Sequence, residues 1–265
     1  VVEFTPVGLI DGDEHVGTIN GVHVGIATDD NLGGIVLTGG QNGVNYDFCE
    51  LLPASLAGRV FFDPNEDCFF NEGDEPLSGV SVQLLNQQGT VIQTTQTDAH
   101  GEYRFDNLLP GKYSVQELQP PGYCQGGTVP GSGGGDGSVQ DLISAIDVLA
   151  GAQLVEYNFC EILPVSIAGR VWVDLDNDCI FDGNEQPLSG VKIELLDGNG
   201  IVVLTTFTDA EGRYLFDNLL PNSYSVHEYQ PSGYVQGGQM AGSHGGGDMT
   251  ADLIVDINLY SGDQA

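Results

Sequence analysis

The chain has 265 residues, 40% of them hydrophobic, with 38 acidic side chains against 6 basic ones and a formal net charge of −32. That length suffices for two small domains, each with its own core, while the charge excludes nucleic acid and anionic membrane surfaces as partners, because both attract positive charge. No apolar run approaches the ~18 residues of a membrane span, so no membrane insertion is expected in this segment. No signal-peptide pattern opens the chain, so any targeting segment is expected outside it.

Taken in chain order, the first segment already belongs to a repeat. Val2-Glu3-Phe-Thr-Pro6-Val-Gly8 matches Gln116-Glu117-Leu-Gln-Pro120-Pro-Gly122 and His227-Glu228-Tyr-Gln-Pro231-Ser-Gly233. Tyr46-Asp-Phe-Cys-Glu50 returns as Tyr157-Asn-Phe-Cys-Glu161. Residues 1–50 therefore read as the C-terminal half of a preceding copy. A complete copy is expected at 54–161. A second, at 165–265, stops before its last Tyr-x-Phe-Cys-Glu strand. Two readings of these partial ends stay open: arbitrary boundaries within a longer array, or completion by a neighbouring chain. Ser55-Leu-Ala-Gly-Arg-Val-Phe-Phe-Asp63 reappears 111 residues later as Ser166-Ile-Ala-Gly-Arg-Val-Trp-Val-Asp174. That period is too long for a solenoid unit and suits a whole domain.

Within each copy the strands follow at close spacing. Val80–Leu84 and Val191–Leu195 alternate with period two, as half-buried strands do. Asn86–Gly89 and Asp197–Gly200 are expected to be hairpin turns, leading into Val91–Thr95 and Val202–Thr206. Asp98–Gly101 and Asp209–Gly212 are expected to be turns capped by the Asp side chain. Strands are expected at Tyr113–Val115 and Tyr224–Val226, and again at Leu142–Val148 and Leu253–Leu259. Between them, the glycine-rich stretch Gly126–Gly137 reads as a long loop. No capped stretch with 3.6-residue periodicity is long enough for a major helix. The fold class expected is all-β: tandem immunoglobulin-like or prealbumin-like β-sandwich domains with calcium-binding loops.

The chemistry lies between the first two strands of each copy. In the second copy, Asp174, Asp176, Asp178, Asp182 and Glu185 place side-chain oxygens at loop positions 1, 3, 5, 9 and 12, and Ile180 at position 7 offers its carbonyl. This is the ligand spacing of an EF-hand-type calcium loop, and Ca²⁺ takes six to eight oxygens. The first copy keeps the spacing with Asp63, Asn65, Asp67, Phe69, Asn71 and Asp74. Three formal charges there, against five in the second loop, predict weaker binding at the first. Position 6, normally glycine for a sharp turn, is Cys68 or Cys179. Asp30, Asp141 and Asp252 recur before the late strand as candidate ligands of a second ion, or as turn caps.

Four of the five cysteines recur as pairs, Cys49 with Cys160 and Cys68 with Cys179. Strand counting puts the first loop and the end of the last strand at one pole, which favours a Cys68–Cys160 disulfide within one domain. The rival pairing, Cys49–Cys68 with Cys160–Cys179, would staple successive domains.

These motifs together resemble the B-type repeat domains of bacterial surface adhesins, of the serine-aspartate-repeat B type and the collagen-adhesin B type. The matching stretches are Gly169-Arg-Val-Trp-Val-Asp174 with its acidic loop, Pro187-Leu-Ser-Gly-Val191, Thr208–Pro221 and Tyr224–Glu228, with counterparts from Gly58 to Glu117. The resemblance implies a prealbumin-like sandwich, Ca²⁺ in the acidic loop and an extracellular stalk on a bacterial surface or secreted fibre. Its partners would be neighbouring repeats of the same array and other copies in a fibre. Some relatives carry a Lys–Asn isopeptide bond, but Phe61 and Trp172 stand where that Lys is expected. No such crosslink is therefore expected. Glu117 and Glu228, at the acidic position, are expected to pair with Arg59 or Arg170 or to face solvent. The alternative function is an adhesive module binding carbohydrate or host protein through its loops, with Tyr123 and Tyr234 as an aromatic platform. Catalysis is not expected, because His15, His23, His100 and His244 do not recur together and no triad signature appears.

Overall fold

The computed structural model describes residues 1–246 and 252–265. Its regular structure among the described residues is entirely β-strand. It forms two compact units: residues 1–61, 76–119 and 127–160 in one, and residues 62–75, 120–126 and 161–265 in the other. The unit boundaries thus depart from the repeat boundaries, because the first acidic loop belongs to the same unit as the second repeat.

In the first repeat, five strands run in the order Val91–Gln96, Ser81–Asn86, Gly111–Glu117, Leu142–Val148, Asp136–Val139. The facing sheet has Glu102–Leu108, Ala54–Phe62, Asn158–Ile162 and Cys124–Val129 in that order, with Gln153–Leu154 and Glu75–Pro76 also paired to Ala54–Phe62. Alternation drives this pairing. Val82 and Leu84 point inward from one strand, and Leu84 sits opposite Val115, itself opposite Ile143. Leu56, Val60, Phe105, Tyr157 and Phe159 meet them from the second sheet in one buried cluster. Burying each such side chain contributes roughly 1.5–3 kcal/mol before the entropy of ordering is subtracted.

The second repeat follows the same plan in its described sheets. Val202–Phe207, Lys192–Asp197, Asn222–Glu228 and Leu253–Leu259 form one sheet, and Val165–Arg170 pairs with Arg213–Leu219. Its core gathers Val165, Ile167, Ile193, Leu195, Phe216, Val226 and Ile257. The asparagine and aspartate turns form as the sequence dictates. Asp98 Oδ1 accepts the N–H groups of His100 and Glu102 at 2.8 and 2.9 Å, and Asp209 Oδ1 does the same for Glu211 and Arg213. In the N-terminal segment, Ile10–His15 pairs with Asp47–Leu51.

One expectation fails. Gly126–Gly137 is not a continuous loop, since Cys124–Val129 and Asp136–Val139 are strands. Glycine lowers intrinsic strand preference, but pairing to a neighbouring strand outweighs it. The matching residues 235–240 of the second repeat carry no strand.

Candidate metal centres in the acidic loops

Each acidic loop follows the inner strand of its repeat and closes at a short bridge, Glu75–Pro76 or Gln186–Pro187. The first loop is drawn inward at its first residue. Asp63 is fully buried, at 0% exposure, and its Oδ2 accepts the Cys68 N–H at 2.6 Å. Its other oxygen, Oδ1, is buried without a hydrogen-bond partner, as is Oδ1 of Asp74. Asn65 and Asn71 both turn Nδ2 toward Asp67 Oδ2, at 3.1 and 2.9 Å. An amide flip would present their Oδ1 atoms to a cation at the same point. Asn71 Nδ2 also lies 2.8 Å from the Phe69 carbonyl, which is the expected backbone ligand. The loop's hydrogen bonds bring Asn65, Asp67, Asn71 and the Phe69 carbonyl together, and Asp74 Oδ2 accepts the Asn71 N–H at 2.8 Å, whereas Asp63 is bonded to the Cys68 N–H.

The second loop repeats this wiring. Asp174 accepts the N–H groups of Asn177 and Cys179, at 2.6 and 3.0 Å. Glu185 reaches back to the N–H of Leu175 and of Asp182 at 2.9 and 3.2 Å. Asp178 Oδ1 caps Ile180 N–H at 2.8 Å. Asp174, Asp176 and Glu185 each offer an oxygen within 4.8 Å of the others. The Cys179 N–H bond, chiefly, holds the Asp174 carboxyl below the usual carboxylate range. Repulsion from Asp178 in the first place, then burial and the charges of Asp182, Asp174 and Glu185, pushes Asp176 up. Crowding of this kind is relieved when a divalent ion enters.

The cysteine at position 6 adopts the conformation a glycine would. Cys68 has φ +56° and Cys179 φ +58°, in the left-handed region that non-glycine residues rarely occupy. The departure from the usual loop sequence thus leaves the turn itself intact. Cys68 is disulfide-bonded, as is Cys160, whereas Cys49, Cys124 and Cys179 are free. The rival pairing through Cys49 and Cys179 is not formed.

The recurrent aspartates occupy equivalent turns. Asp30, Asp141 and Asp252 all have φ between +55° and +64°, and their carbonyls accept the N–H of Glu3, Glu117 and Glu228 respectively. Asp30 also falls beside Asp11 and Glu14, whose oxygens lie within 4.8 Å of its own. Sequence reasoning missed Asp11 and Glu14, although the Asp11-Gly-Asp13-Glu14 run carried the signal. Sharing a hydrogen bond with Asp29, chiefly, pushes Asp11 up to about 6, with burial and the Asp30 and Glu14 charges adding to it.

Two expectations about the other polar residues change. Glu117 is 1% exposed and does not face solvent, because its strand directs it into the sandwich. Tyr123 packs against Phe62 with ring centroids 5.9 Å apart, so it is committed to packing. Arg59 is bonded to Glu102, and the Arg170 guanidinium lies 4.2 Å over the Phe181 ring. Phe61, at the position of the crosslinking Lys, is completely buried.

A family model described as the SdrD B-like domain matches residues 54–153 and again 165–262. The chain belongs to this family. It is 35% identical over 184 residues to the serine-aspartate repeat-containing protein F of Staphylococcus epidermidis, covering 69% of this chain and 11% of that one. It is 30% identical over 232 residues to the serine-aspartate repeat-containing protein D of Staphylococcus aureus, covering 85% of this chain and 18% of the relative. The chain therefore spans less than a fifth of either relative's length. Among solved structures, the Bacillus anthracis TIE protein aligns at TM-score 0.35 and 16% identity, over 94% of this chain and 41% of that one. The minor pilin GBS52 of Streptococcus agalactiae aligns at the same TM-score and identity, over 80% of this chain and 92% of that one.

Proposed function

We propose that this chain is a segment of an extracellular stalk or fibre of a bacterial surface protein, built from tandem B-type repeats that Ca²⁺ stiffens. Its role is structural rather than catalytic, and its partners are the neighbouring repeats of the array. The observation that carries the calcium reading is the buried Asp63 carboxylate, whose Oδ1 has no hydrogen-bond partner, at the head of an acidic loop. A fully buried anion is costly unless a counter-charge meets it. Asp63, Asn65, Asp67, Asn71, Asp74 and the Phe69 carbonyl would hold one ion. Asp174, Asp176, Asp178, Asp182, Glu185 and the Ile180 carbonyl would hold the other. Bound Ca²⁺ would neutralise part of the −32 charge and rigidify both loops.

Support for stiffness between repeats comes from Glu66, a residue of the first loop. Its Oε1 accepts the Ser261 N–H at 2.8 Å, and Ser261 Oγ accepts the Leu163 N–H, also at 2.8 Å. The linker residues are apolar and include Pro53 and Pro164, unlike a flexible Gly/Ser tether.

Calorimetric titration of the full chain with Ca²⁺ tests this reading. Two binding events are expected, with a rise in melting temperature that a chelator reverses. Titration heat indistinguishable from dilution would reduce the loops to solvated acidic turns.

A further inference from the structure

Each repeat ends one of its sheets on the strand that follows the asparagine or aspartate hairpin. In the first repeat that strand is Val91–Gln96, bonded only to Ser81–Asn86 among the described strands. In the second it is Val202–Phe207, bonded only to Lys192–Asp197. Because the first repeat ends its sheet at the same place, this edge belongs to the repeat itself. An edge strand presents N–H and C=O groups with no strand to take them, and natural proteins guard it with a charge, a proline or a bulge. Here a bulge falls at the start of the strand, between Leu195 and Leu196 of its neighbour, and the pairing is regular over Leu204–Phe207.

The two edges differ in what they expose. In the first repeat Gln93 stands opposite Leu84 and Gln96 opposite Ser81. In the second, Leu204 stands opposite Leu195 and Phe207 opposite Lys192. Apolar side chains thus replace two glutamines, one on each face of the strand. Leu204 is 45% exposed and Phe207 60%, although Leu195 beside Leu204 is fully buried. From Gly198 to Thr208 the chain carries no charged side chain, within a protein of net charge −32. The nearest cation, Lys192, is held by Glu194 at 2.6 Å and lies 4.1 Å over the Tyr229 ring.

Charge decides what can cover this edge. Two copies of so acidic a chain repel each other, and they can approach only where neither presents a carboxylate. The strand is also complementary to itself. Laid antiparallel against its own copy, Val202 falls opposite Phe207, Val203 opposite Thr206 and Leu204 opposite Thr205. Each of these pairs occurs twice across the two-fold axis. Aromatic against β-branched is a favourable cross-strand pair. A charged peptide would find no counter-charge along the strand.

We propose that two copies of this chain pair edge to edge through Val202–Phe207, antiparallel, joining their four-stranded sheets into one. The contact is β-augmentation and isologous, so it closes at the dimer. It covers Leu204 and Phe207 and leaves the Val91–Gln96 edge of the first repeat free. A contact one strand long is small, so the association is weak and reversible. It links separate arrays laterally, whereas the linkers join repeats in tandem. Neither calcium nor a cysteine takes part, so the inference stands apart from the calcium reading.

The test is sedimentation equilibrium of the full chain over a wide concentration range, once in Ca²⁺ and once in chelator. A reversible monomer–dimer equilibrium is expected in both. It should tighten as salt rises, because screening weakens the repulsion between two acidic chains. Leu204→Gln with Phe207→Gln installs the residues that the first repeat carries at these places, so the sandwich should still form. It should weaken the dimer at least about tenfold. Leu204→Lys sets a charge on the edge and should abolish the dimer. Val91→Gln with Ile92→Gln, on the other edge, should leave it unchanged. Hydrogen exchange should slow with concentration over 202–207 and not over 91–96. The proposal is overturned by monomers at every concentration and salt, by a dimer that survives both Leu204 variants, or by a dimer lost in the Val91 and Ile92 variant. A dimer without any calorimetric response to Ca²⁺ would retain this proposal and remove the calcium reading. Calcium binding by a chain that stays monomeric would do the reverse.

Discussion

The two repeats share much of their sequence, yet their inner strands and glycine-rich segments differ. Where Asn158–Ile162 is present, Ala54–Phe62 runs unbroken for nine residues and Cys124–Val129 is a strand. In the second repeat the corresponding inner strand breaks at Val171 and residues 235–240 have no regular structure. Cys124-Gln-Gly-Gly-Thr-Val and Val235-Gln-Gly-Gly-Gln-Met are close in composition and differ in outcome. The contrast shows that a shared glycine-rich composition does not by itself decide whether such a segment is a strand.

That contrast can be broken most forcefully at the strand itself. Phe159→Ala removes a fully buried ring from the first core. It should lower the stability of the first repeat by about 3–5 kcal/mol, while the second transition in a denaturant melt stays in place. Replacing Cys68 and Cys160 by alanine should cost about 2–4 kcal/mol. Mild reduction should reproduce that loss in the first repeat only, because Cys179 is free. If both transitions move together, the repeats do not unfold as separate units and the comparison fails.

The loops sharpen the same comparison through the metal. On the proposed calcium reading, five carboxylates against three predict the tighter site in the second loop. A site held at a hundredfold excess over its Kd contributes about 2.7 kcal/mol. At limiting Ca²⁺, Asp174→Ala should therefore abolish the first-filling calorimetric event, and Asp63→Ala should leave it. The reverse order of filling would show that burial of Asp63 outweighs ligand charge.

Smaller effects are expected at the surface and with pH. Lys112 bonds Asp147 at 2.6 Å, and the second repeat carries Ser223 and Asn258 in their places. Lys112→Ser should therefore change first-repeat stability by at most about 1 kcal/mol, measured by the shift of its denaturant midpoint. For Asp11, the folded value of about 6 lies above the ordinary 3.8 of an aspartate. The fold holds the proton more tightly than the unfolded chain does, so stability should fall as pH rises from about 4 to about 6. Asp11→Asn should flatten that slope in pH-dependent melts of the metal-free chain.

Much of this organisation was legible in the residues. Alternation at Val80–Leu84 and Val191–Leu195 marked strands that form at Ser81–Asn86 and Lys192–Asp197, because side-chain period and burial act locally. The position of both acidic loops, after the first strand of each repeat, was legible for the same reason. The glycine-rich strand was not, since its formation depends on pairing with a segment about thirty residues away. Nor was the burial of Glu117, which follows from how two sheets close over one another. The gathering of Asp11 with Asp30 likewise needs the turn at Asp30 to fold the chain back.

Cys68 occupies two roles at one backbone position. Its left-handed conformation makes the turn of the acidic loop, and its sulfur is part of the covalent bond. Opening that bond would free the residue that shapes the loop, so on the calcium reading proposed above thiol redox state and metal occupancy would be linked variables. By thermodynamic reciprocity, whatever factor of calcium affinity the bond provides, calcium returns as resistance to reduction. On the same proposed reading, a change in redox poise would register first as a loss of order at this loop.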